Sequence, residues 1–227
     1  MRRTAWRGIG ALLTVAATVA AVGAPAGAAT QPAGLPAVKQ AAHMAIERRV
    51  ASLNAAIAVV QSSTFLGADQ GTLVTVLQSD VSGLRQLDQT IQNDATLQAA
   101  RADARRIFTE YRVYALMLPV VHMVRGADAI TNVIVPKLDD AAGHLQDAIT
   151  KRNASNLLPL LDDLRAQTAA AEQLVSGLPG RLEALKPADW NANHAVLQPS
   201  RDTLQSARLD ARRARQDGRD IVAGLTR

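Results

Sequence analysis

Apolar residues recur along this chain in steps of three and four. From Val38 the series runs Ala42, Ile46, Val50, Leu53, Ile57 and Val60, and beyond Phe65 it runs Leu73, Leu77, Val81, Leu84, Leu87 and Ile91. That spacing lines one face of a helix, whereas a half-buried strand would alternate with period two. A third run opens after Asn93-Asp94, which can cap a helix, with Leu97, Ala100, Ala104, Ile107, Tyr111, Tyr114, Leu118, Val121, Arg125, Ala129 and Val133 on one face. It resumes beyond Pro136 with Leu138, Ala142, Leu145 and Ala148. Unbroken from Asp94 to Thr150, such a helix would measure about 85 Å at about 1.5 Å per residue. Pro119 or Pro136 is expected to bend or divide it, because proline lacks the amide hydrogen that the helix needs.

Lys151-Arg152-Asn153 reads as a turn. A fourth helical pattern follows, through Leu157, Leu160, Leu161, Leu164, Ala171, Leu174, Val175, Leu178 and Leu182, with Pro179-Gly180 as an interruption. Residues 185 to 200, LKPADWNANHAVLQPS, form the longest connection, and an amphipathic segment from Asp202 to Leu225 closes the chain. The predicted fold is all-α: an elongated antiparallel helical bundle with coiled-coil-like packing and one long proline-kinked helix.

The first 28 residues differ in kind from the rest. Arg2, Arg3 and Arg7 precede an apolar run from Ile9 to Val22, and the small residues Ala26-Gly27-Ala28 close it. This is the three-part layout of a secretory signal peptide, with cleavage expected after Ala28 or one residue later. Residues 29–36 then read as a flexible linker and residues 37–227 as the helical-bundle domain. The expected location is therefore secreted, or at the outer face of the cell envelope. Without cysteine, neither a lipidated leader nor a disulfide contributes, and stability falls to the core.

Charge changes little in this picture. The 25 basic and 20 acidic residues give +5, and removing the leader with its three arginines leaves +2. So small an excess, on an exported chain, argues against nucleic acid as a partner. An internal echo is present: TLQAARADARR at 96–106 returns as TLQSARLDARR at 203–213. Partial duplication and convergence of a biased helical composition both account for it.

Candidate chemistry concentrates in YRVYALMLPVVHMVRGADAI, residues 111–130. At about 100° per residue, Tyr111, Tyr114, His122 and Arg125 share one sector, with Asp128 at its border. Two readings stand. In the first, Pro119 marks a structural kink that opens a pocket, with Arg125 holding an anion or carboxylate and the tyrosines covering an apolar part. In the second, which proline makes sufficient by itself, Arg125 and Asp128 pair at i, i+3 while the tyrosines and His122 fill a bundle layer.

Elsewhere the signals are weaker. His43 with Glu47, and Asp140 with His144, sit four apart as surface pairs, and the third and fourth ligands of a metal site are not supplied. No serine elbow, phosphate loop or dinucleotide fingerprint occurs, so no catalytic residue, metal or cofactor is assigned and an enzyme is not expected. Arg208, Arg212, Arg213, Arg215 and Arg219 on the last helix offer weak contact with an anionic envelope surface, diluted by Asp210, Asp217 and Asp220.

The stretch RRIFTEYRVYALMLPVVHMVRGADAI, with the leader and the terminal DARR-type helix, resembles uncharacterised alanine-rich secreted helical proteins of high-GC Gram-positive (actinobacterial) bacteria. The resemblance implies an extracellular or envelope location and brings no functional residues. The expected role is structural or in protein interaction, through self-association or an envelope protein partner; the alternative is a small-ligand or lipid-binding bundle using the Pro119 region.

Overall fold

Helix formers and apolar spacing make the described residues helical almost throughout, and among them no strand forms. The computed structural model describes residues 34–226. The leader, and all of the linker before Gly34, lie outside the described residues. Among the described residues there are nine α-helices: α1 (Leu35–Gln61), α2 (Asp69–Asn93), α3 (Leu97–Thr109), α4 (Leu118–Ala129), α5 (Val135–Lys151), α6 (Leu158–Val175), α7 (Leu178–Glu183), α8 (Pro187–Ala192) and α9 (Gln198–Leu225). Together they form an all-α bundle.

The first helix starts inside the segment expected as linker, because Pro36 occupies its first turn, where a missing amide hydrogen costs nothing. Two groups of helices organise the bundle. α1 packs along α2 and against α3, while α6 packs along α9 with α5 beside both. Between them runs α4, touching α1, α7 and α9. Accordingly α4 buries a wide sector, with Val120, Met123, Val124 and Ala127 on one face and Val121 and Asp128 extending it. Leu97 to Lys151 contains a stretch long and apolar enough to cross a membrane by length and composition, and 56% of that stretch is buried within the bundle. Such burial is the behaviour of a core helix.

The run expected from Asp94 to Thr150 is interrupted once and then stays helical from Val113 to Lys151. The chain breaks after α3, where Arg112 takes a left-handed conformation with φ 43°. That conformation costs a residue with a Cβ roughly 1–2 kcal/mol, and Asn191 of α8 holds it. Arg112 Nε donates to Asn191 Oδ1 at 2.7 Å, and Asn191 Nδ2 donates to the Thr109 carbonyl at 2.9 Å.

Both prolines act in the same local way. Each stands at the second position of an α-helix that follows one wider turn, over Val113–Met117 before Pro119 and over Ile130–Ile134 before Pro136. In these turns the amide of Leu118 reaches the carbonyl of Val113, and that of Val135 reaches Ile130, five residues back instead of four. The wider turn makes room for a ring that would otherwise strike the carbonyl four residues before it.

The loop between α1 and α2 is fastened by side chains. Gln70 Nε2 donates to the carbonyls of Val60, Gln61 and Ser63, closing the open end of α1. Asn132 Nδ2 donates to the Phe65 carbonyl at 2.8 Å. At the other end of the pair, Lys39 Nζ donates to the Gln92 carbonyl and His43 Nδ1 lies 2.8 Å from Asp88 Oδ2.

Candidate functional site

The left-handed Arg112 and the wide turn over Val113–Met117 displace the register assumed for residues 111–130, and the five candidate side chains do not converge. Tyr111 lies against α2. Its ring occupies the space that a side chain at Gly83 would fill, with Oη 2.6 Å from the position of a Cβ there. Burial and the charge of Glu110 raise the pKa of its phenol.

Tyr114 turns to α1 and to solvent. Its hydroxyl donates to the Arg48 carbonyl at 3.2 Å and meets Ser52 Oγ at the same distance. The Arg49 guanidinium lies 4.5 Å from the Phe108 ring centre and 5.2 Å from that of Tyr114, so the cation is held between two aromatic rings. Arg49 is 9% exposed and also donates to the Ala45 carbonyl, and desolvation lowers its pKa. Phe108 and Tyr114 remain about half exposed, so of the two tyrosines weighed for a bundle layer only Tyr111 packs against the core.

His122 is exposed, and with Arg125 it edges a shallow groove of about 220 Å³ between α1 and α4. Ser52, Ala55, Val59 and Leu118 are among the other lining residues. Arg125 is engaged by the α1–α2 loop: Nε donates to Ser63 Oγ at 3.2 Å, and the guanidinium lies 5.9 Å from the Phe65 ring centre.

Asp128 faces elsewhere, and the expected Arg125–Asp128 pair is absent. It is 6% exposed, and its Oδ2 is buried without a hydrogen-bond donor. Around it stand two more carboxyls, Asp69 in the first turn of α2 and Glu183 at the end of α7. Loss of water first, then the charge of Asp69, a hydrogen bond to it, and the charge of Glu183 push the Asp128 pKa from its ordinary 3.8 up to about 7. Two carboxyls share a hydrogen bond only while one of them carries a proton, and burial favours the proton on Asp128. Glu183 also shifts upward through burial and the Asp69 charge, and its Oε1 lacks a donor. Among the described residues, no three His, Asp or Glu side chains are placed to hold a metal ion.

Other expected pairs divide. Asp140 and His144 approach to 3.6 Å on the surface. His43 meets Asp88 of α2, which raises its pKa through their hydrogen bond, with a further contribution from the charge of Glu47. Arg213 pairs with Asp210 at 3.3 Å, while Asp217 faces α6, where Asp163 and Gln167 lie.

The comparisons add no relative. No family model, curated protein or solved structure matches this chain. Three features escape a reading by periodicity alone: the Asn191 clasp, the Arg49 cation between two rings, and the meeting of Asp69, Asp128 and Glu183. Each joins residues more than 50 positions apart in sequence, and only Asp128, apolar-flanked and alone in its helix face, gave a local hint.

Proposed function

We propose that this chain is an exported, non-enzymatic helical bundle, its helices packed antiparallel, that acts through protein contact at the cell envelope. One observation carries the reading. On α1, Met44 and Val59 remain 49% and 43% exposed, and Phe108 and Tyr114, which lie against Arg49 of the same helix, are 50% and 49% exposed. The buried Arg49 guanidinium lies against both rings, which leaves the rings themselves to meet a partner. Aromatic side chains surrounded by aliphatic ones are usual anchors of protein interfaces.

The polar groups of this face are engaged in holding the fold. Tyr114 is bound to α1 and Arg125 to the α1–α2 loop. The buried group with displaced acidity, Asp128, lies among other carboxyls rather than beside a nucleophile. The second reading, a carrier of small anionic or lipid ligands, is favoured by the groove that His122 and Arg125 edge. Its floor is shallow and its cation is already bonded to Ser63.

A photoreactive residue in place of Val59, in protein expressed with its leader, tests the proposal at the envelope. Crosslinks from position 59 to a discrete protein, or to a second copy, that vanish with Phe108→Ser support it. Crosslinks confined to lipid or small molecules would replace it with the carrier reading.

A further inference from the structure

The last helix sorts its mixed charges into separate stripes. Taking about 100° per residue, Arg201, Arg208, Arg212, Arg215 and Arg219 fall within a sector of about 60°. Asp202, Asp210, Asp217 and Asp220 lie at least about 80° beyond its edge. Arg213, which the linear sequence groups with the others, sits with the acids and is bonded to Asp210. The seam of α9 against the bundle, through Leu204, Ala207, Ala211 and Ala214, adjoins the opposite edge of the stripe.

All five arginines are exposed. Among the described residues, Arg201, Arg208, Arg212 and Arg215 make no ion pair with an acid, and Arg219 bonds only the neutral Gln216, at 3.4 Å. Gly126 of α4 gives Arg208 its place, since a Cβ there would stand 2.7 Å from the guanidinium. Basic character continues past the end of the stripe, where Arg152, next to Lys151 at the close of α5, donates to the Leu225 carbonyl.

We infer that this stripe is a docking surface for an extended phosphodiester polymer without bases. The row runs about 27 Å at about 1.5 Å per residue, with its last four guanidinium groups stepping about 4.5 to 6 Å along the axis. That spacing suits successive phosphates on a flexible chain. Arginine throughout, rather than lysine, provides the planar fork that grips phosphate oxygens in pairs. α9 holds no aromatic side chain on which a nucleotide base could stack. Nor does the stripe carry the broad apolar face with which a helix enters a lipid surface; Leu209 and Val222 are its only large exposed apolar neighbours on α9. The inference does not depend on the protein-contact face of α1.

The test titrates the mature chain with poly(glycerol phosphate), with oligo(dT) and with phosphatidylglycerol vesicles, at several salt concentrations. Arg212→Gln, Arg215→Gln and Arg219→Gln together should weaken binding of poly(glycerol phosphate) at least tenfold. The same variant should flatten the salt dependence by about 2 to 3 in slope, as three phosphate contacts are lost. Arg85→Gln, Arg105→Gln and Arg213→Gln together remove equal charge elsewhere and should change affinity less than about threefold, the small effect expected of distant, screened charges. Thermal melts of both variants report folding. Equal losses in the two variants, or no binding of poly(glycerol phosphate), would overturn the inference. Preference for oligo(dT) would overturn it in favour of nucleic acid, and binding of vesicles alone in favour of a membrane surface.

Discussion

Replacing Asp128 by Asn should stabilise this protein, and most strongly at neutral to alkaline pH. An amide is nearly the size of the carboxyl, can donate to Asp69 as the protonated acid does, and never acquires the buried charge. Below about 3.8 the acid is protonated whether folded or unfolded. As pH rises from there, the unfolded chain releases this proton while the folded chain retains it, so folding is progressively disfavoured up to about 7, the folded value. Above it both states are ionised and the penalty is complete. Proton affinity is worth about 1.4 kcal/mol per tenfold change, which bounds the penalty near 4 kcal/mol; relaxation of the surrounding carboxyls reduces it to about 2–3 kcal/mol.

The assay is urea or thermal unfolding of wild type and Asp128→Asn, at about pH 5 and about pH 8.5. Other groups also titrate with the same sign, Asp80, raised by burial to about 6, and His43, raised by its bond to Asp88. The difference between the two proteins isolates Asp128. The variant should gain about 2–3 kcal/mol, or about 5–10 °C in melting temperature, at the higher pH, and distinctly less at the lower. A variant less stable than wild type at pH 8.5, or a difference independent of pH, would refute this account of the carboxyl cluster.

Two further outcomes follow from local geometry. Gly83→Ala offers about 1 kcal/mol of helix propensity but places a methyl group against the Tyr111 ring, at a cost of about 1–3 kcal/mol; a net loss near 1 kcal/mol by urea unfolding is expected, and a net gain would mean that the ring yields freely. Asn191→Ala removes both bonds that clasp the break at Arg112, costs about 1–2 kcal/mol, and speeds amide exchange selectively across residues 110–117; unchanged protection there would show that the left-handed turn stands without α8.

Where the chain runs straight, its apolar period is a faithful guide to the core. Leu73, Leu77, Val81, Leu84, Leu87 and Ile91 of α2 are all buried, as a stripe with uniform spacing requires. In α1 the same holds for Ala42, Ile46, Val50, Leu53 and Val60, with Ile57 at the edge. Legibility fails at residues 110–134. One left-handed residue and the wide turn before Pro119 reset the helical phase, so Val120, Met123, Val124 and Ala127 face inward, while His122 is exposed and Arg125 only half-buried. A count of about 100° per residue cannot survive such interruptions.

The internal echo shows what periodicity does transmit. Leu97, Ala100, Ala104 and Ile107 in α3 correspond to Leu204, Ala207, Ala211 and Ala214 in α9, and both sets face the packed side of their helices. The surrounding roles differ. Thr96 caps α3 by accepting from the Ala99 amide, whereas Thr203 lies inside α9 and donates to the Pro199 carbonyl. The charge pattern of α9 was in plain view but misleading as a line: Asp210 and Arg213 dilute the arginines in sequence and stand apart from them on the helix.

The central claim, action through protein contact without a bound small molecule, is tested most directly by native mass spectrometry of the mature protein taken from the extracellular and envelope fractions of its natural host. The account predicts protein masses alone, as an assembly with a second copy or another protein that Phe108→Ser disperses. A reproducible small added mass, lost on denaturation and insensitive to that substitution, would contradict it.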